Sequence, residues 1–229
     1  KALARSSRSP QLPYLVLARI DALYDMASDK SPTIPQYAKF AEDYPKHELA
    51  SQALYMAALT ALDTDQHDKA KQHSTTFLVR FPNDRLAPDV QFIGAEGRLR
   101  LGDYVEAGKS YGDFLKDAPQ HDNAPRARVR LGLALHIAKK HPEAIRWLES
   151  NVNALPAADL KSEAQALIGR SFSAQDEFSK AASSFEKALA ANPKAKDADE
   201  TILALADSYR QLDEGDKSAA QLKRLIQQY

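Results

Sequence analysis

The stretch RFPNDRLAPDVQF, residues 80–92, contains two prolines between two apolar-periodic segments. Proline ends a helix because it lacks a backbone N–H and its ring clashes with the preceding turn. In the first turn of a helix, by contrast, the missing N–H costs little. Pro82 therefore ends one predicted helix, and Pro88 opens the next. Pro82 also belongs to a series of prolines spaced 37 residues apart: Pro45, Pro82, Pro119, Pro156 and Pro193.

Residues at fixed offsets from the start of each 37-residue unit follow the same period. Offset 25 carries a small side chain in every unit: Thr33, Ala70, Ala107, Ala144, Ala181 and Ser218. Offsets 29 and 32 are mostly aromatic or aliphatic, and with offset 25 they have the i, i+4, i+7 spacing of one apolar helix face. Six units therefore tile the chain, the first starting at Arg8 without a proline: 8–44, 45–81, 82–118, 119–155, 156–192 and 193–229.

Polar, turn-forming stretches divide each unit into a helix A and a helix B. These turns begin roughly twenty residues after the start of each unit. They are DTDQHD (63–68), LGDY (101–104), AKKHP (138–142), SAQDEF (173–178) and LDEGD (212–216). Offset 13, in helix A, is small in five of six units: Asp21, Ala58, Ala95, Gly132, Gly169 and Ala206. Small residues there predict a close crossing of helices A and B.

The segments LRLGDYVEAGKSYGDFLKDAP (99–119) and FSAQDEFSKAASSFEKALAANP (172–193) resemble tetratricopeptide repeats. They share small residues, aromatic residues and a closing proline, and Gly102–Asp103–Tyr104 is the clearest turn. The resemblance runs from about residue 8 to 229. The period is 37 rather than about 34, and the bulky aromatic usual early in helix A is mostly missing. The resemblance implies an all-α, right-handed superhelical solenoid of six repeats, with the A helices on its concave side.

The additional residues of each unit follow the proline, as in PKHELA, PNDRLA, PQHDNA and PAADLK. This start resembles the bacterial envelope subgroup, which includes the Tol–Pal coordinator proteins and the BamD-like outer-membrane assembly lipoproteins. The resemblance implies a periplasmic or outer-membrane-associated location rather than a cytoplasmic one.

The two ends of the sequence predict that the chain is a fragment of a longer protein. It begins at Lys1 without a methionine, and it stops in LKRLIQQY with Leu222, Leu225 and Ile226 on one helix face. A solenoid normally ends in a polar-faced capping helix. We therefore expect continuation after Tyr229, and dimerisation through this exposed end is the alternative.

Composition and charge argue against several classes of partner. Lys plus Arg equals Asp plus Glu, 31 against 31, so no overall field favours nucleic acid or an anionic membrane. The longest apolar stretch, LPYLVLARI (12–20), is shorter than the roughly 20 residues that a membrane span requires. The absence of cysteine excludes disulfides, thiolate nucleophiles and cysteine-ligated metals. We expect a protein or peptide partner, no nucleic acid and no membrane insertion.

Motifs of catalysis are absent from the sequence. None of the six histidines forms H-E-x-x-H, and DTDQHD lacks the Gly and the distal Glu of a calcium loop. SFEK (184–187) matches S-x-x-K, but Phe185 and Ala188 occupy core offsets of a helix B, which makes the match a coincidence. No phosphate-binding or dinucleotide-binding glycine motif occurs. The expectation is a non-enzyme with no catalytic residue, cofactor or metal.

Helix A positions outside the core offsets are the candidates for partner binding, because repeat proteins bind on their concave surface. The candidates form an apolar strip in the middle units and charged positions towards the C-terminus: Tyr55, Leu59, Phe92, Leu99, Arg126, Arg130, Leu133, Arg170, Asp207 and Arg210. An exposed apolar strip indicates an interaction site. The alternative is that several of these side chains pack against neighbouring A helices, Leu62 and Leu99 above all.

These patterns predict a non-catalytic scaffold or adaptor that binds a partner peptide or protein segment in its concave groove. Two other functions fit the same sequence. In the first, the chain is the regulatory or substrate-presenting part of a larger enzyme. In the second, it is a self-assembling scaffold whose partner is another copy of the chain.

Overall fold

The computed structural model describes residues 9–228, and every regular element in that range is a helix. Twelve α-helices follow one another: α1 Leu12–Met26, α2 Ile34–Asp43, α3 Ala50–Asp63, α4 His67–Arg80, α5 Ala87–Arg100, α6 Tyr104–Asp117, α7 Ala124–Ile137, α8 His141–Asn151, α9 Ala158–Ser173, α10 Phe178–Ala191, α11 Ala198–Gln211 and α12 Gly215–Gln228. Two short 3₁₀ segments, Ser31–Thr33 and Val152–Ala154, precede α2 and follow α8.

The helix breaks lie where the prolines predict them. Helix α4 ends at Arg80, two residues before Pro82, and α5 begins at Ala87 with Pro88 in its first turn. Pro125 has the same place in α7. The two prolines of residues 80–92 therefore have opposite roles, one after a helix end and one within a helix start.

The predicted turns between helices A and B share one backbone geometry. Each has a single residue with a left-handed backbone, and these residues are 37 positions apart: Asp65 (φ 57°), Gly102 (83°), Lys139 (60°), Asp176 (59°) and Asp213 (58°). In the third of these turns the N–H of Lys140 donates to the carbonyl of Leu135 at 2.9 Å, and the N–H of Lys139 donates to that of His136 at 2.9 Å. This is the Schellman arrangement, which pairs the last carbonyls of a helix.

The chain divides into two compact units, residues 1–118 and 119–229. The first, described from residue 9, contains α1–α6. The aromatic residues at offsets 29 and 32 form its core, and all of them are essentially inaccessible: Tyr37, Phe40, Phe77, Tyr111 and Phe114. Two buried tyrosines also hold carboxylates, since Tyr37 donates to Asp21 at 2.8 Å and Tyr111 donates to Glu96 at 2.6 Å.

The second unit, described to residue 228, contains α7–α12 around one continuous apolar core. Leu148, Leu167, Phe185 and Ile202 are among its most deeply buried members. Helix α9 contacts the helices before and after it as well as α7 and α11, so the three A helices of this unit are neighbours. On α12, Leu222 and Ile226 are exposed.

The small residues at offset 25 are buried in all six units. This agrees with the predicted crossing of helices A and B. The division into six repeats within a single solenoid domain, and its continuation beyond the chain, remain predictions. Arg8 and Tyr229, the first and last residues of the predicted tiling, lie outside the described residues.

Candidate partner-binding surface

The predicted apolar strip of the first unit is partly core. Phe92 is 6% exposed and Leu99 is 8% exposed. The ring of Phe92 has its centroid 6.0 Å from that of Tyr111 and 5.7 Å from that of Phe114. We therefore assign Phe92 and Leu99 to the interior of this unit. This outcome is the alternative given above, in which residues of the strip pack against neighbouring A helices.

Tyr55 and Leu59, on α3, are the half-buried members of the strip. Both contact the small cluster of buried residues around Ile34 and Ile93 while keeping part of their surface accessible. Burial, and then the nearby charge of Asp89, raises the pKa of Tyr55. These two side chains remain candidates for contact with a partner.

In the second unit, α7, α9, α11 and the connection before α11 surround an open depression of about 480 Å³. Three of the predicted partner-binding residues, Arg130, Leu133 and Arg170, line it. The complete lining is Arg130, Leu133, Asp159, Glu163, Leu167, Arg170, Lys194, Ala195, Lys196, Asp197 and Glu200. We call this the central depression.

Ion pairs between successive A helices form the rim of the central depression. Arg130 Nη1 on α7 lies 2.7 Å from Glu163 Oε1 on α9. Arg170 Nη2 on α9 lies 3.0 Å from Asp197 Oδ2 and 3.4 Å from Glu200 Oε2. Each guanidinium is thereby held in a fixed orientation, and a guanidinium carries five N–H donors in a planar arrangement.

The floor of the central depression is apolar. Leu167 is buried in the core of the unit, and half-buried Leu133 packs against the same core. The charges of the lining balance, four basic residues against four acidic ones: Arg130, Arg170, Lys194 and Lys196 against Asp159, Glu163, Asp197 and Glu200. An apolar floor with a fixed polar rim suits a peptide segment that buries an apolar side chain and pairs its polar groups at the edge.

A second depression, of about 740 Å³, also borders Arg170. Its lining is His136, Ile137, Lys139, His141, Arg170, Ser173, Ala174, Phe185, Ala204 and Asp207. We call it the histidine depression. His136 Nδ1 lies 2.8 Å from the Ser171 hydroxyl, and the His136 and His141 ring centroids are 5.1 Å apart. Burial, and then the charges of His141 and Arg170, lowers the pKa of His136.

Arg126 and Arg210, two other predicted residues, are exposed and line neither of these depressions. Arg210 pairs with Asp207 one turn away on α11. The structure thus brings Arg130, Leu133 and Arg170 together in one place, and Arg170 and Asp207 in another.

The acidic residues of the rim are absent from the sequence-based candidates. Glu163 and Glu200 occupy offset 7 of consecutive units, the same offset as Arg126. The sequence does contain a signal for the pair Arg130–Glu163. Arg130 lies at offset 11 of its unit, and Glu163 follows 33 residues later at offset 7 of the next unit. This signal is visible only if one considers contacts from one unit to the next.

Two histidines have a local structural role that recurs with the period. The Nδ1 atoms of His47 and His121 accept hydrogen bonds from the N–H groups of Leu49 at 3.2 Å and Asn123 at 3.1 Å. Asp84, at the same offset, accepts one from Leu86 at 2.9 Å. Within residues 9–228, no group of three or more histidine or carboxylate side chains is placed to hold a metal ion.

Ser184, in the S-x-x-K match, is buried on α10 and donates to the carbonyl of Lys180 at 2.9 Å. Its hydroxyl is therefore bonded to its own helix, as is common for serine within helices. Among the described helices, none has both the length and the apolar character required to cross a membrane.

The fold is similar to solved structures of repeat proteins. MamA from Desulfovibrio magneticus RS-1, from its residue 41 onwards, matches with a TM-score of 0.67 and 21% identity over 77% of this chain and 93% of that one. BtubC (BKLC) from P. vanneervenii matches with a TM-score of 0.66 and 16% identity over 86% and 87% of the two chains. At these identities the similarity concerns the fold alone. No curated protein sequence matches this chain.

The sequence profile of one family covers most of the chain. The profile of the tetratricopeptide repeat-like domain matches residues 37–208, which extend from within α2 into α11. Together with the all-helical structure, this match confirms the predicted fold class. The chain belongs to the tetratricopeptide repeat-like domain family.

Proposed function

We propose that this chain is a non-catalytic scaffold that binds a segment of a partner protein on the A helices of its second unit. Its tetratricopeptide-like fold supports a protein-interaction scaffold in general. The observation that carries the finer proposal is the central depression, where Leu133 and Leu167 form an apolar floor between two fixed arginines.

The depression can supply both affinity and orientation. Covering one partner side chain of leucine size on the apolar floor is worth about 1.5–3 kcal/mol. Arg130 and Arg170 then offer N–H donors to carbonyl or carboxylate oxygens of the bound segment, and these charge-assisted bonds set its register. Because both arginines are already oriented by acidic residues of the next repeat unit, little side-chain freedom is lost on binding.

Affinity capture followed by mass spectrometry, at low and at moderate salt, tests this proposal. The double variant Leu133→Gln/Arg170→Gln removes the accessible apolar side chain and one fixed guanidinium. A matched control, Arg126→Gln/Arg210→Gln, removes two exposed arginines from helices α7 and α11 that do not line the depression. We expect the first variant to lose the partners of the unmodified chain and the control to retain them, both with unchanged helical circular dichroism. Full retention by the first variant contradicts the proposal.

We further propose that this scaffold works in the bacterial cell envelope. The support is the repeat start after each proline, as in PNDRLA and PQHDNA, which resembles the envelope subgroup. Fractionation of the source cells should place the parent protein in the periplasm or with the outer membrane, and a purely cytoplasmic protein would contradict this setting.

Self-assembly is a second candidate function, and one observation favours it. Leu222 is 40% exposed and Ile226 is 81% exposed on α12, although offset 29 is buried in the other units. Light scattering over a wide range of concentration distinguishes the two. Mass that increases with concentration, and that Ile226→Ser reduces, supports self-assembly; a constant mass does not. The remaining alternative, a regulatory part of a larger enzyme, requires a catalytic domain in the parent reading frame.

A further inference from the structure

The histidine depression differs from the central depression in its charge. In the central depression every arginine has an acidic neighbour and the charges balance. In the histidine depression, Asp207 is the single carboxylate of the lining, and it pairs with Arg210 on its own helix. Arg170 is likewise matched, by Asp197 and Glu200.

Lys139 carries a positive charge that is not paired with an acidic side chain of the described residues. It forms no ion pair within the described residues, and its left-handed backbone, with φ of 60°, places it in the turn between α7 and α8 beside the depression. His136 at the end of α7 and His141 at the start of α8 lie on either side of that turn. Three basic side chains thus converge from one connection onto one open volume.

The lining also contains apolar surface next to these basic groups. Ile137 is 38% exposed at the end of α7, and half-buried Ala204 borders the depression from α11. A ligand that fits this surface presents an anionic group to Lys139 and the histidines and an apolar side chain beside it. An extended segment of protein with alternating acidic and apolar residues has this chemistry.

We propose that the histidine depression binds an acidic side chain of the partner segment, and that this binding strengthens as the pH falls. The inference rests on the proposed function, because it names the chemistry of the segment that the second unit takes. The partner's carboxylate lies against Lys139 and the two imidazoles, and its neighbouring apolar side chain covers Ile137.

The sign of the pH dependence follows from the groups that face His136. These are His141 from α8, Lys139 from the connecting turn, Arg170 from α9 and Asp207 from α11. All but Asp207 are basic, and burial also lowers the pKa of His136 below 6.5. The imidazole is therefore neutral at neutral pH, and a bound carboxylate favours its protonated form. By linkage, lower pH then favours the bound carboxylate.

A designed peptide tests this directly in the full chain. The probe is a fluorescein-labelled peptide of alternating Leu and Asp residues, and the control probe has Lys in place of Asp. Anisotropy is measured at about pH 8 and about pH 5.5, on either side of the ordinary histidine pKa and well above that of aspartate. We expect the Asp peptide to bind about tenfold more tightly at the lower pH, which corresponds to a shift of one unit in one histidine pKa.

Matched variants identify the groups responsible. His136→Gln/His141→Gln should abolish the pH dependence, while His73→Gln, which removes a half-buried histidine of the first unit, should leave it unchanged. Lys139→Gln should weaken binding at both pH values, and Lys140→Gln, its exposed neighbour outside the lining, should not. Circular dichroism establishes that each variant is folded.

Several outcomes would overturn the inference. They are failure of the Asp peptide to bind, equal binding of the Lys peptide, pH-independent affinity, or equal effects of Lys139→Gln and Lys140→Gln. The proposed function fails by a different result, since it requires that Leu133→Gln/Arg170→Gln lose the captured partners. Capture that depends on Leu133 and Arg170 without any binding of the Asp peptide rejects this inference and leaves the scaffold function in place.

Discussion

Gly169 on α9 lies directly against the ring of Phe185 on α10. A Cβ atom placed on Gly169 would be 2.6 Å from Phe185 Cε1, and one placed on Gly132, 37 residues earlier, would be 2.3 Å from Leu148 Cδ2. Phe185 and Leu148 are both buried in the core of the second unit. The missing side chain at offset 13 therefore sets the separation of helix A and helix B.

We expect Gly169→Ala to lower the free energy of unfolding by about 1–3 kcal/mol, because the rigid ring of Phe185 must move. This opposes the gain of about 1 kcal/mol that alanine has over glycine within a helix. Urea unfolding followed by circular dichroism measures it. The matched control is Gly112→Ala on α6, where a Cβ meets nothing within 4 Å and a gain of about 0.5–1 kcal/mol is expected. Equal effects of the two substitutions would contradict the packing argument.

The left-handed residue of each turn predicts a stabilising substitution. A residue other than glycine loses about 1–2 kcal/mol in this conformation, and aspartate tolerates it better than lysine does. Lys139→Gly should therefore raise the unfolding free energy by about 0.5–1 kcal/mol, after the larger entropy of glycine in the unfolded chain is deducted. Asp176→Gly should raise it less. Gly102→Ala should lower it, and a neutral result for Gly102→Ala would argue against the conformational cause.

The buried pair of Tyr111 and Glu96 predicts a loss of stability when the hydroxyl is removed. Glu96 is 3% exposed and accepts the Tyr111 hydroxyl at 2.6 Å. Removing the hydroxyl takes a hydrogen-bond donor away from the buried Glu96 side chain, a loss of about 1–3 kcal/mol, so Tyr111→Phe should destabilise by that amount in urea unfolding. Tyr104→Phe is the control, because its hydroxyl has no hydrogen-bond partner within residues 9–228. A change below about 0.5 kcal/mol for Tyr111→Phe, the usual range for surface substitutions, would show that this bond contributes little.

Alkaline pH should destabilise the second unit through Tyr209. Burial, and then its hydrogen bond to Glu186, raises the pKa of Tyr209 from 10.0 to about 12. A raised pKa in the folded state means that the neutral phenol is favoured there, so its contribution to stability is complete below pH 10 and is lost as the pH rises from 10 to 12. Unfolding free energies measured across this interval should fall less steeply in Tyr209→Phe than in the unmodified chain. Parallel slopes would contradict the shift.

Local interactions explain why much of the fold is predictable. Pro82 and Pro88 act on their own helices, and the left-handed residue of each turn acts on the carbonyls of the turn before it. Such effects depend on residues four or five positions apart, so they repeat in the sequence with the period of the structure. Gly132 and Gly169 extend the argument to the contact within one helix pair, because the small residue and its partner recur at constant offsets.

The candidate site was less predictable, because it depends on which face of each A helix the neighbouring helices cover. Offset 10 holds Tyr55, Phe92 and Leu203, yet Tyr55 is half-buried, Phe92 is buried against Tyr111 and Phe114, and Leu203 is exposed. Equivalent positions thus differ because the side chains that surround them differ from unit to unit.

By itself the sequence determined the period, the helices and their breaks, since these arise from the backbone and from contacts within a few turns. Only the tertiary structure decided that Arg130 pairs with Glu163, that Arg170 pairs with Asp197, and that Arg170 and Asp207 border the same depression as Lys139. Those relationships join residues far apart in the sequence, and their energies depend on distance and burial, which the order of residues along the chain does not specify.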